Sequence, residues 1–546
     1  MGKPTVWRLT DWTEADSIKR DFVRQDLGEI KDIKDCQECP KPVWVTVFFD
    51  GTGNNFVADG DGKLDPEKVS YSNIAKFAAF AHAGNDKTNR THGIYVPGVG
   101  TKFAEIGDSG DGIDKAAGMS TAKRGEDRIN WAFQVMSERV DSHLPLVSQI
   151  NIAVLGFSRG AAMSRAFVRR LSERYGTLGG EMHWPRGNNP TINVYFLGIF
   201  DTVASVGYGG SKLESAIASL PSVPTQVLRI AADYGGHAGW ASDLRIPSYV
   251  KKCVHYVASH EVREKFPSDS VRESLLVPDN CEEYFYPGAH SDVGGGYAYG
   301  IQEWRSAELS RIPLCNMFRE AYAAGVPFFP PAKVIKKSGT LFEITTDLEE
   351  CFNSYISWMP ENYSLEKNII VNMNFYYHWR WGRSQRMQKL AKSTAGVGSS
   401  SQHNLGSSDP YMRITDEEWN KDVQNIAEKK TGSWVSSTTT LEDAIFDAWR
   451  GGLRKMLPPD RLRLFDRFFD YYVHDSVAGF KQQMSESHIG FVESSRWTKN
   501  RRYFLGKRGK KFLYWTYEGN HPESQRPRVA VLRPDGPSDH DSIASA

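Results

Sequence analysis

The sequence predicts an α/β fold: a mostly parallel sheet flanked by helices, followed by a partly helical C-terminal region. Three observations carry the prediction. Short β-prone apolar runs alternate with helical stretches through the first 330 residues, the pattern of parallel strands joined by crossover helices. Several of those runs stop abruptly in glycine-rich loops. One of them, from Ile150 to Leu155, leads directly into Gly156-Phe157-Ser158-Arg159-Gly160 and then into a helix whose Ala161, Ala162, Ala166, Phe167, Val168 and Leu171 form a broad apolar face.

Composition narrows the class. At 546 residues the chain is too long for one compact core, and length suggests about two to four domains. Hydrophobic content of 40% with 24% charged residues is that of an ordinary globular protein, and a net charge of +1 offers no global attraction to nucleic acid. Six cysteines make no disulfide scaffold; Cys36 and Cys39 form a single C-x-x-C without a second pair at zinc spacing, so neither metal nor cofactor is expected. The first 19 residues lack the apolar core of a secretory signal, and no apolar run reaches the 18 residues of a membrane span.

In chain order, residues 1–42 read as a polar lead-in and residues 43–330 as the main domain. Val43 to Phe49 is the first strand, ending in Asp50-Gly51-Thr52-Gly53-Asn54-Asn55, which places backbone N–H groups at the carboxyl edge of the sheet. A phosphatase reading of Asp50 fails, because the position two residues before it is Phe48. Gly93 to Val96 is a second strand, a helix begins near Glu126, and Ile150 to Leu155 is the strand before Ser158. Ile192 to Phe200 ends at Asp201, Val254 to Ala258 follows, and Glu283 to Tyr286 leads into Pro287-Gly288-Ala289-His290. Residues 206–248 form an insertion suited to a lid, with Leu213, Ile217, Leu220 and Val223 as wall candidates or ordinary core. A helix over Ala307 to Ala324 closes the domain. Residues 331–546 contain an aromatic, basic stretch from Phe375 to Lys392, a Ser/Gly-rich linker from Ser393 to Pro410, and helical text from Leu441 to Phe480 broken at Pro458-Pro459.

The G-x-S-x-G segment fits a nucleophile elbow, the strand-to-helix turn that exposes the reactive serine of an α/β-hydrolase-like sheet. Its bland alternative is a turn whose Ser158 caps the helix. A serine nucleophile needs a base and a carboxylate to orient it. Asp201 and His290 follow in the chain order of that fold, each at a strand's carboxyl end. The backbone N–H of Arg159, with one from Gly51 or Thr52, would receive the oxyanion. His255 and His260 rank lower as bases. Asp292 is the competing acid, expected instead to shape the loop around His290. His474-Asp475-Ser476 contains all three residue types, but on a helix adjacent side chains diverge.

Four motifs then occur together and in order: Val47 to Asn55, Gly156 to Ala161, Phe200 to Val203, and Pro287 to Tyr297. This set resembles the α/β-hydrolase family that includes the first family of type VI secretion lipase effectors. The resemblance covers about residues 43–330. It implies a phospholipase with a Ser158–Asp201–His290 triad, acting on bacterial membrane glycerophospholipids. It also implies delivery by a spike protein, without a signal peptide, into a rival's periplasm, and restraint by an immunity protein. A cytosolic esterase or thioesterase of the same fold, and a non-catalytic binding module, are the rival readings. Between Arg496 and Lys511 lie eight basic residues and no acidic one, Arg501 and Arg502 among them, with Trp497, Tyr503 and Phe504 interleaved. That stretch is either a peripheral membrane contact, with aromatics at headgroup level, or a β-hairpin with solvated charges.

Overall fold

Every apolar run singled out between residues 43 and 286 is a strand of one sheet. In the computed structural model, which describes residues 3–29, 39–65, 67–81, 90–110, 118–176, 181–204, 239–263, 266, 268–273, 276–302, 305–359, 365–394, 410–431, 440–476, 502–505, 510–513, 516–519 and 528–531, the strands are β1 (Lys41–Phe49), β2 (Thr91–Val96), β3 (Val147–Phe157), β4 (Met182–His183), β5 (Thr191–Phe200), β6 (Cys253–Ala258) and β8 (Cys281–Tyr286). Their order is β2-β1-β3-β5-β6-β8, all parallel, with short β4 antiparallel on β5. Parallel pairing requires crossovers, and the helices that supply them cover both faces of the sheet, so its central strands are apolar on both sides. The period-two alternation divides β1 cleanly: Trp44 and Phe48 face one core, while Val43, Val45, Val47 and Phe49 face the other.

The second of those cores lies under two helices, α4 (Gly118–Asp141) and α5 (Arg159–Tyr175). Ile129, Phe133 and Met136 of α4 meet Ala162, Phe167 and Leu171 of α5 there, and the Phe133 and Phe167 rings stack at 4.2 Å. On the outer side Arg170 grips Glu126 with two bonds, at 2.6 and 2.9 Å. Three shorter helices precede these: α1 (Glu14–Asp26), α2 (Phe56–Asp59) and α3 (Asn73–Phe80).

The first core does not stop at residue 330. It runs from Phe48, Leu155 and Phe200 through α3 and α7 (Arg311–Ala323, after the short α6, His290–Gly294) into Phe352, Tyr355, Trp379, Phe465 and Phe469. Of those last residues, all but Phe469 belong to the C-terminal helices α8 (Pro331–Ser338), α9 (Thr346–Trp358), α10 (Leu365–Thr394), α11 (Pro410–Thr431), α12 (Thr440–Arg450), α13 (Gly452–Met456) and α14 (Pro459–Arg467), and Phe469 lies in the π-helical turn Phe468–Tyr472 that follows. The aromatic stretch that begins at Phe375 is thus the buried interior of α10, with Tyr376, Tyr377 and Trp379 enclosed. A short β7 (Ser268–Asp269) pairs with β9 (Arg502–Leu505), and β9, β10 (Lys510–Leu513), β11 (Thr516–Gly519) and β12 (Arg528–Val531) form an antiparallel meander.

The polar N-terminal segment is docked rather than loose. Thr13 and Asp16 form a capping box that starts α1. Arg24 lies 4.0 Å over the Trp44 ring and donates to the Gly325 carbonyl at 2.8 Å. Leu9 and Leu27 enter the first core. Scattered apolar anchors are supplemented by cation–π and hydrogen-bonded contacts, which is why its mean hydropathy carries little sign of packing.

Candidate active site

Ser158 stands between β3 and α5 at φ 59°, ψ −125°, a conformation that costs an L-residue of order 1–3 kcal/mol and persists only where its surroundings impose it. They do so through glycine. A Cβ on Gly160 would lie 2.2 Å from the Phe49 carbonyl oxygen, and one on Gly156 would lie 2.3 Å from Ser164 Oγ. The turn therefore packs against the end of β1 at a distance no larger residue permits. Ser158 N–H donates to the Phe200 carbonyl at 3.0 Å, and Val203 N–H donates to the Ser158 carbonyl at 3.2 Å. The serine is thereby tied to the strand end that carries Asp201.

Asp201, also at positive φ (39°), is fully buried. Its Oδ1 accepts Ala258 N–H at 3.0 Å, and its Oδ2 lies 2.5 Å from His290 Nδ1. His290 opens α6 after β8. Its ring sits against Phe157, centroids 4.6 Å apart, and against Phe266 at 5.0 Å. A carboxylate can only accept, so Nδ1 carries the proton and Nε2 the lone pair. Burial pulls the His290 pKa below its ordinary value, opposed by the Asp201 carboxylate, so near pH 7 the imidazole is neutral. The structure thus brings Asp201 and His290 into contact and links the Ser158 backbone to the same strand end.

The loop after β1 is a fourth component. The Gly51 N–H is occupied, donating to Asp50 Oδ1 at 2.7 Å, whereas Thr52 is exposed and its N–H bonds to none of the described residues. Of the two expected donors, Thr52 is the one left available beside Arg159, whose N–H belongs to the unpaired first turn of α5. Sequence reasoning missed what holds this loop. Buried Asp50 accepts from Ser72 Oγ at 2.5 Å and Tyr95 OH at 2.6 Å, and burial pushes its carboxyl up to about 6. Gly98 N–H donates to the Asn54 carbonyl and Gly53 N–H to that of Val99. Buried Arg128 ties the Gly98 loop down through the carbonyls of Pro97, Gly98 and Thr101 and through Asp108 at 2.8 Å. The only sequence signal was an arginine on the apolar face of a helix.

The rival residues serve other ends. His255 is fully buried with both nitrogens engaged: Nδ1 with Glu283 at 3.1 Å, Nε2 with Thr202 N–H and hydroxyl at 3.2 Å each. His260 accepts Gly288 N–H at Nδ1 (2.9 Å) and donates from Nε2 to the Asn372 carbonyl, and burial lowers its pKa to about 3. Asp292 shapes the His290 loop: its Oδ2 accepts Ala289 N–H at 2.9 Å, and it also binds His474 through N–H at 2.9 Å and Nδ1 at 2.6 Å.

The helical expectation for His474-Asp475-Ser476 is overturned. The helical text ends at Tyr472, and residues 473–476 run as a buried loop. Each side chain reaches a different partner: His474 reaches Asp292, Asp475 reaches Arg380 and Tyr376, and Ser476 accepts from Val262 N–H. The triplet fastens the C-terminal helices to the active-site loops. The lid candidates Leu213, Ile217, Leu220 and Val223 lie outside the described residues, as do Trp497 and Arg501, whereas Arg502 begins β9. Among the described residues no group of three His, Cys, Asp or Glu side chains converges as a metal site, and no helix is long and apolar enough to cross a membrane.

Comparison with known proteins agrees with this frame. No curated protein matches the chain. A crystal structure of an uncharacterized protein from Pseudomonas aeruginosa superposes with a TM-score of 0.62 at 20% identity, covering 98% of this chain and 86% of that one. It shares the fold. The structure of the Tle1 effector bound to the VgrG spike from the type 6 secretion system also matches, at 19% identity and a TM-score of 0.39, covering 63% of this chain and 87% of that one. The model of the type VI secretion phospholipase effector Tle1-like catalytic domain matches residues 45–185 and 181–320, the span that holds all four loops described above. The chain belongs to the Tle1-like family of type VI secretion phospholipase effectors and carries that family's catalytic domain.

Proposed function

We propose that the protein is a serine phospholipase A that cleaves acyl esters of bacterial membrane glycerophospholipids by way of an acyl-enzyme. The observation that carries this is the 2.5 Å contact of Asp201 with His290 at the same sheet edge as a serine held in the strained elbow conformation. His290 Nε2 takes the Ser158 proton as Oγ attacks the ester carbonyl. Asp201 keeps the ring in the required tautomer and stabilises the imidazolium that forms. The N–H groups of Arg159 and Thr52 receive the oxyanion. His290 then returns the proton to the leaving glycerol oxygen, and water, activated by the same base, releases the fatty acid.

Membership of the family supports delivery through a type VI apparatus, which needs no signal peptide, by way of a spike protein into the target periplasm. It also supports an immunity protein in the producer. The basic, aromatic stretch around Trp497, Arg501 and Arg502 is a second contact with the anionic membrane, each basic residue adding about 1 kcal/mol near the surface. Mass spectrometry of the products from mixed bacterial phospholipids, with Ser158→Ala as control, tests the reaction. Lysophospholipid and free fatty acid should appear only with the intact serine, and a soluble thioester turned over in preference to lipid would overturn the substrate class. Expression with and without an added export signal tests the compartment: lysis should need both export and Ser158.

A further inference from the structure

Arg159 directly follows Ser158, and its side chain differs from the enclosed cations of the domain. Arg128 has Asp108, Arg263 has Glu261 and Arg272 has Glu283. Arg165, further along the same helix, donates to the carbonyls of Leu244, Asp269 and Ser270. The half-buried Arg159 has no such partner among the described residues. Its Nε is sealed from solvent and bonded to nothing, and burial alone lowers its pKa, with no carboxylate acting against that. A partly desolvated cation without a counter-charge is unfavourable, and the positive end of α5 lies at the same residue. The site therefore holds uncompensated positive charge beside the nucleophile. A substrate that completes it must carry a negative group close to its scissile ester. A glycerophospholipid meets that requirement, because its phosphodiester sits on the same three-carbon unit as its two acyl esters; a neutral glyceride or a simple ester does not.

Resting on Ser158 as the nucleophile, we propose that the Arg159 side chain binds the phosphodiester of the lipid whose acyl ester Ser158 attacks, and that this contact selects phospholipids over neutral esters. Arginine suits the task because its planar fork engages two phosphate oxygens at once. A glyceride in the same position would leave the cation partly desolvated and unpaired, so discrimination arises from that cost as well as from the bond formed.

The test uses the full chain. kcat/KM is measured on phosphatidylglycerol and on diacylglycerol of the same acyl chains, both in neutral detergent micelles. Arg159→Gln should lower the phospholipid-to-glyceride ratio by about 10- to 100-fold, as expected for a lost charge-assisted contact. Arg159→Lys should restore most of it. An equal fall on both substrates would overturn the proposal, since it would make the side chain a support of the elbow. A second measurement does not depend on how the variants fold: calorimetry of Ser158→Ala protein with glycerophosphoglycerol, and separately with laurate. Binding of the phosphodiester that laurate does not displace supports the proposal; no phosphodiester binding, or a preference for the carboxylate, overturns it. Failure of the underlying reading shows separately, as undiminished hydrolysis by Ser158→Ala.

Discussion

Two histidine–carboxylate pairs lie side by side in this sheet, each at a strand end that carries a hydroxyl residue. In one, Asp201 holds His290 at the carboxyl edge beside Ser158; in the other, Glu283 holds His255 beside Thr202, with His255 at 3.1 Å from the acid and 3.2 Å from the hydroxyl. By residue type and spacing the second passes for a triad. Its histidine, however, is fully buried and already accepts Thr202 N–H at Nε2, so no lone pair is left to take a proton. Glu283 is further saturated by Ser270, Val271 N–H and Arg272. Ser158, by contrast, is placed by a strained turn, and His290 keeps Nε2 as its unprotonated nitrogen. The comparison teaches that a relay is defined by what its last nitrogen is free to do. The His255 relay is a clamp that fixes the strand end from which Asp201 projects.

The largest expected effect separates the two directly. Ser158→Ala or His290→Ala should lower kcat by about 10⁴-fold or more, and the double variant should be little worse than the worse single one, because such residues act as a unit. His255→Ala should instead destabilise the fold by about 1–3 kcal/mol in urea titration, because it removes buried hydrogen bonds to Glu283 and Thr202, while turnover per folded molecule keeps its order of magnitude. Near-normal turnover by His290→Ala together with an inactive but folded His255→Ala would exchange their roles.

Acid titration sharpens the contrast next. Burial raises the Glu283 carboxyl, but hydrogen bonds from His255 and Ser270 and the charge of Arg272 outweigh it and hold the group down to about 2, against 4.5 in the unfolded chain. A depressed folded pKa gives stability that is complete above 4.5 and is lost as pH falls towards 2. The loss should amount to about 3 kcal/mol, and Glu283→Gln should remove that slope from the pH dependence of unfolding.

A smaller effect concerns the loop acid. Asp292→Ala should cost about tenfold in kcat, far less than Asp201→Ala, since Asp292 touches Ala289 N–H and His474 rather than the reacting atoms. Stopped assays on both variants decide it, and the reverse ranking would make Asp292 the orienting acid. The smallest expected effect is in the pH–rate profile. Because burial lowers the His290 pKa, the plateau of kcat/KM should extend below pH 6.5 before protonation of the base removes activity. An acid limb above that value would mean the base is a more solvated histidine.

The sheet, the elbow, and the positions of Ser158, Asp201 and His290 at strand ends were legible because they follow from local rules. A fully buried parallel strand must be a continuous apolar run, a turn packed onto Phe49 must have glycine at 160, and each parallel strand presents its carboxyl end on one edge. What the amino-acid order could not show depends on pairs distant in sequence. Which of Gly51 and Thr52 keeps a free N–H was decided by where Asp50 turned its carboxylate. Whether His255 or His290 kept an available nitrogen was decided by which partner each met in space. That His474 closes onto Asp292, 182 residues earlier, followed from a helix that ended at Tyr472 rather than running on. Period and propensity act over a few residues of chain; saturation of a buried polar group is settled only when the folded neighbours arrive.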